Sequence, residues 1–128
     1  MSAKPLACPC GRPAAYDDCC GPLHSGVQKA STAEALMRSR YSAYVLKLAD
    51  YLRATWHVST RPGELDLHAD DCKWLGLEVK AHGRLDATHA TVEFVARYRV
   101  AGRGHRLHEI SRFVCEDAGW FYVDGDLR

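Results

Sequence analysis

No stretch of this 128-residue chain approaches the ~18 consecutive apolar residues that a membrane-spanning helix needs, so no membrane segment is expected. Neither sign of charge prevails. The 17 basic and 16 acidic side chains leave a net charge of +1, which argues against the broad basic footprint that dominates nucleic-acid affinity. The opening MSAKPLACPCGRP carries one lysine but no apolar run of roughly 7–15 residues, so it does not read as a secretory signal. A cytoplasmic location is the resulting expectation. A glycine-rich phosphate loop, a paired-histidine metal motif and an internal repeat are all missing.

Cysteine, by contrast, is concentrated. Four of the six cysteines fall at Cys8, Cys10, Cys19 and Cys20. In a reducing compartment such a cluster reads as metal ligands before disulfides. Four soft thiolates select zinc or iron, and zinc held by four protein ligands is structural because no coordination position stays open. Pro9 and Gly11 help the first pair turn toward one ion. The adjacent second pair needs a backbone bend at Cys19–Cys20, which Gly21-Pro22 favours. Free or disulfide-bonded thiols, and a redox role for the vicinal pair, are the alternatives. A vicinal disulfide is strained relative to preferred geometry.

Residues 1–28 hold Pro5, Pro9, Pro13 and Pro22 and show almost no aliphatic periodicity. Such a segment cannot build a core and needs a staple, so it reads as a metal-built knuckle before a domain at 29–128. Ser31 or Thr32 offers a helix cap. Ala33, Leu36, Met37, Arg40, Tyr44 and Leu48 then recur at helical spacing. A break near 48–50 precedes a second helix over about 50–57, with Tyr51, Leu52 and Trp56 inward; residues 64–71 read as a loop. From Cys72 the pattern becomes alternating. One strand sets Leu75, Leu77 and Val79 against Trp74, Gly76, Glu78 and Lys80, and a second sets Val92, Phe94, Ala96, Tyr98 and Val100 against polar residues. A turn at 101–104 leads to a third strand near 105–116, and a turn at 117–119 leads to a fourth at 120–124. Helices followed by an antiparallel meander predict an α+β domain with the helices packed on one face of the sheet.

The run C-P-C-G, Tyr16 and C-C-G resembles the SEC-C motif, the metal-binding tail of the preprotein translocase motor SecA. That resemblance, over about residues 7–22, implies metal ligation by Cys8, Cys10, Cys19 and Cys20. It also brings in the family's partners, the chaperone SecB and the ribosome. Asp17 and Asp18 replace basic residues of the family and weaken the inheritance of those translocation and ribosome partners. With TAEALMRSRYSAYV and HEISRF, the whole chain is similar to the bacterial YchJ family. This resemblance implies a cystatin-like cone, the nuclear-transport-factor-two (NTF2-like) fold, in which a curved sheet wraps the helices. It implies no activity.

Several polar residues fall where a core is expected. Arg40 lies on the apolar helical stripe. Glu109 and Ser111 share strand parity with Phe113 and Cys115, and Trp120, Tyr122 and Asp124 share a face of the last strand. A buried arginine calls for a carboxylate, and Glu109, then Glu93, is the expected partner. Two readings follow: a core ion pair between Arg40 and Glu109, or a polar pocket for an anionic or carbonyl ligand lined by Arg40, Tyr44, His57, Glu109, Ser111, Phe113, Trp120 and Tyr122. Alternation sends His108 away from Glu109. His68, His82, His89 and His105 fall in loops or at strand ends, and Cys72 and Cys115 read as small packed hydrophobes. The favoured functional reading is a zinc-binding cytoplasmic accessory protein that docks a protein partner through the knuckle, with homodimerisation through the second domain considered. The alternative is a small-ligand-binding protein or small enzyme using the domain's cavity.

Overall fold

The structure is a computed structural model and describes residues 7–65, 67 and 72–128. His68 and most of the expected loop at 64–71 lie outside the described residues. A single 3-10 turn, Tyr16–Asp18, and a short helix α1, Gly21–Ser25, follow the first cysteine pair. Helix α2 spans Ala33–Leu46, α3 Ala49–Ala54, and four strands follow: β1 Cys72–Arg84, β2 His89–Val100, β3 Arg103–Glu116 and β4 Gly119–Leu127.

Helix α2 starts where its cap dictates. Thr32 is extended, and its Oγ1 accepts from the Ala35 amide at 3.0 Å, satisfying one of the orphan donors of the first turn. The helix ends at Lys47 in the left-handed conformation, φ 61°. Helix α3 is shorter than the expected 50–57. Thr55 ends it, and the chain turns so that the Tyr122 amide donates to the Thr55 carbonyl at 2.9 Å and the His57 amide to the Tyr122 carbonyl at 2.7 Å. Trp56 is thereby fixed beside β4 and not on the helix.

The sheet is a four-stranded antiparallel meander in the order β1-β2-β3-β4, as its short connecting turns require. Its inner face packs on α2. Leu36, Met37 and Tyr41 of the helix meet Val92, Phe94, Phe113 and Trp120 of the strands, all buried. Two register shifts alter the expected faces, since one extra residue exchanges every side chain beyond it. Between Trp74 and Gly76 the pairing slips, so Trp74, Leu77 and Val79 share the core side while Leu75 is 49% exposed. Between Arg112 and Phe113 it slips again: Phe113 faces Tyr122 and Arg112 faces Asp124. Asp124 therefore leaves the face of Trp120 and Tyr122 and pairs with Arg112 at 2.6 Å.

Candidate metal centre and adjoining pocket

The sequence reading placed four cysteines around one ion. In the structure the sulfurs of Cys8, Cys10, Cys19 and Cys20 all lie within 4.8 Å of one another, with three of the four residues buried. A tetrahedral zinc with Zn–S bonds of about 2.3 Å spaces its sulfurs about 3.8 Å apart, and Cys10 Sγ stands 3.6 Å from Cys19 Sγ. The donor set and its spacing thus suit a soft divalent ion. Gly11, at φ +90°, supplies the left-handed residue after the first pair. Pro22 occupies the first turn of α1 directly behind the second pair.

Electrostatics inside the cluster favour a cation. Accepting from Cys20 draws the Cys10 thiol down to about 4, so Cys10 loses its proton first. Burial and the neighbouring Cys10 sulfur push Cys19 up to about 11, and the same Cys10 sulfur together with burial raises Cys20 further. Four thiolates this close cannot coexist as anions without a positive charge between them.

The knuckle is joined to α2 by buried polar contacts. Ser42 Oγ donates to Cys20 Sγ at 3.4 Å and lies 3.7 Å from Cys8 Sγ. Tyr16 donates its hydroxyl to His24 Nδ1 at 2.6 Å, and His24 Nε2 donates to the Ser39 carbonyl at 2.8 Å. Burial holds His24 below its ordinary value, keeping the ring neutral, and raises Tyr16. Arg38 spans from Glu34 Oε2, at 2.9 Å, to the Cys10 carbonyl, at 3.0 Å. Glu34 also meets His82 of β1 at 3.0 Å, so one carboxylate links helix, knuckle and sheet.

The opposite side of α2 borders a cavity of about 250 Å³. Of the expected pocket residues, Arg40, Tyr44, Glu109, Ser111, Phe113 and Tyr122 line it. His57 and Trp120 do not. His57 turns outward to Ser59 at 2.7 Å and Glu116 at 3.0 Å, because the chain after α3 runs along β4; Trp120 is buried in the core. Among the lining residues that sequence reasoning missed are Trp56, Trp74 and Leu107. The slip at Trp74 hid the second of these, and the early end of α3 hid the first.

Arg40 is 5% exposed, yet the expected ion pair to Glu109 does not form. Among the described residues no carboxylate lies within ion-pairing distance of its guanidinium. Its Nη1 donates to the Leu52 carbonyl at 2.8 Å and to Thr55 Oγ1 at 2.7 Å. The guanidinium lies over the rings of Trp56 and Tyr122, 4.9 and 4.7 Å from their centroids. A helix-end carbonyl and two π-faces thus replace the carboxylate, and burial lowers the Arg40 pKa. Glu109 accepts from the Ser111 hydroxyl and, at 3.3 Å, from Tyr122. Glu93, the other expected partner, is on the outer face with His108, at 2.7 Å. Gly125 lies opposite Ser111, where a Cβ would fall 2.6 Å from Glu109 Cδ; only glycine leaves the carboxylate its place. Cys115 packs against the core, and Cys72 is half-buried.

A cysteine knuckle stitched to the first long helix of an α+β sheet domain defines a SEC-C-bearing, NTF2-like protein. The chain belongs to the YchJ family: the model of the YchJ middle NTF2-like domain matches residues 32–125. It is 62% identical to a UPF0225 protein of Bordetella parapertussis over 128 residues, covering 98% of this chain and 96% of the relative. A UPF0225 protein of Cupriavidus metallidurans is 62% identical over 131 residues, covering 97% and 91%. Among solved structures, a SEC-C motif protein of Rhodopseudomonas palustris superposes with TM-score 0.84 at 36% identity, covering 94% of this chain and 98% of that one. Another, from Psychrobacter arcticus, gives 0.78 at 35% identity, with 94% and 82% covered.

Proposed function

We propose that this chain is a zinc-stapled ligand-binding protein of the cytoplasm, with the metal as scaffold and the cavity beside Arg40 as the working site. Four thiolates close the coordination sphere, so the ion supplies folding energy and no reaction. The observation that carries the reading is Arg40: a buried cation without a carboxylate, facing a cavity whose far wall holds Glu109. An interior charge left open to a cavity is costly unless something fills it. Binding is favoured over catalysis because the Ser111 and Tyr122 hydroxyls are both spent on Glu109. The test is elemental analysis of the purified chain followed by a small-molecule thermal-shift screen. One zinc per chain and a stabilising compound lost on Arg40→Gln support the reading; a metal-free, ligand-indifferent protein refutes it. Iron in place of zinc would correct the metal alone.

A second reading, docking of a protein partner by the knuckle, rests on a groove bordered by Tyr16, Asp17, Pro22, Val27 and Leu48. Val27 is 79% exposed there. Asp17 and Asp18 are both exposed on the knuckle and suit a basic partner. Capture of the same proteins by wild-type chain and by Asp17→Lys/Asp18→Lys chain would count against it.

A further inference from the structure

Arg40 and Glu109 stand at two ends of one ring. The guanidinium lies over the face of Tyr122, and the Tyr122 hydroxyl donates to Glu109. The two charges are separated by more than an ion-pair distance while sharing the same cavity. Each has spent only part of its bonding capacity. Nη1 of Arg40 is fully used by the Leu52 carbonyl and Thr55. The guanidinium's one other polar partner among the described residues is the Tyr44 hydroxyl, whose pKa burial raises. With Nη1 bonded twice and Tyr44 supplying one further oxygen, the guanidinium keeps donors to spare for a carboxylate. Close by, the indole Nε1 of Trp56 is buried without a partner.

At the other end, Ser111 and Tyr122 both donate to Oε2 of Glu109. Oε1 is left as an acceptor that asks for a donor. Between the ends the walls are aromatic, formed by Tyr41, Trp74, Phe94 and Phe113. Flat apolar walls select a flat body. At about 250 Å³ the space falls just below the roughly 300–1,000 Å³ of drug-sized pockets, so a single ring is what fits.

Resting on the ligand-binding reading above, we infer that the pocket takes a small aromatic carboxylate carrying a hydrogen-bond donor on the far side of its ring. The carboxylate meets the guanidinium of Arg40, the ring lies among Tyr41, Trp74, Phe94 and Phe113, and an amino or hydroxyl group donates to Glu109. The ligand's single negative charge balances Arg40, and its donor satisfies Glu109 without adding charge.

The test uses the full, zinc-loaded chain and four probes: 4-aminobenzoate, 4-hydroxybenzoate, benzoate and benzamide. Affinities are measured by calorimetry, and the site is located by NMR shifts at Tyr44, Glu109 and Ser111. The two donor-bearing carboxylates are expected to bind at least about tenfold tighter than benzamide, the least that losing a charge-assisted bond costs. They should also exceed benzoate, and Glu109→Gln should narrow that margin. Arg40→Lys should weaken all three carboxylates and leave benzamide unaffected. Benzamide binding as well as benzoate, or an unchanged margin in Glu109→Gln, would overturn the ligand class and leave the pocket reading standing. If neither the four probes nor benzene moves any of those resonances at millimolar concentration, both fall. Wild-type measurements decide the class even where a variant fails to fold.

Discussion

Ser42, in the C-terminal half of α2, donates its hydroxyl to Cys20 Sγ across 3.4 Å, so the helix that walls the pocket also contacts the cysteine cluster. Two residues of the preceding turn divide the work: Ser39 receives His24 of the knuckle, and Arg40 faces the cavity. Cysteine cluster and pocket are therefore joined through one turn of helix.

Removing that hydroxyl with Ser42→Ala is expected to cost about 1 kcal/mol, the net worth of a typical buried hydrogen bond. Removing a ligand with Cys20→Ser is expected to cost far more, since it leaves three thiolates, two of them buried, around an incomplete site. Zinc competition with a chromogenic chelator should rank the affinities wild type, then Ser42→Ala, then Cys20→Ser. Chelation of the wild-type chain should lower its melting temperature and loosen α2.

The Tyr16–His24–Ser39 relay makes knuckle attachment pH-dependent. Burial depresses His24 below its ordinary value of 6.5, so the unfolded chain takes up the proton more readily than the folded one. The stabilisation is complete above that ordinary value and is lost as pH falls beneath it. Melting temperature should therefore decline between pH 7 and pH 5, and less steeply in His24→Gln. Equal slopes in the two proteins would exclude this origin.

Gly125→Ala tests the fit around Glu109. With a Cβ 2.6 Å from Glu109 Cδ, the carboxylate must move, and overpacking of this kind costs about 1–3 kcal/mol. Denaturant melts should show the loss, and the NMR signals of Ser111 and Tyr122 should shift with it.

The β3–β4 turn offers a gain. Asp117 and Ala118 both adopt positive φ, 51° and 63°, and alanine pays for that conformation where glycine does not. Ala118→Gly is expected to raise stability by up to about 1 kcal/mol, read as a higher melting midpoint with the fold unchanged.

Much of this was legible in the residues themselves. The cysteine spacing announced the cluster, a cap at Ser31 or Thr32 bracketed the start of α2, and strand parity placed Glu109, Ser111 and Phe113 on one face. What escaped has a common cause. A register slip carries no clear local mark, yet it moved Trp74 to the core side and Asp124 to the outer face. The partner of Arg40 escaped for another reason: carbonyl groups and ring faces are invisible to a search for opposite charge, and both come from the chain around the end of α3 and from β4.

The slips in β1 bear on how the molecule behaves in a crowd. An open sheet exposes the backbone of its outermost strands to any passing strand that matches. Here β1 breaks its spacing twice, at Trp74/Gly76 and Val79/Ala81, and carries Lys73 and Lys80, both exposed, along the same margin. At the other margin Trp56 bridges to Tyr122 of β4. The irregularities that obscured the strand pattern also discourage copies of the sheet from zipping together.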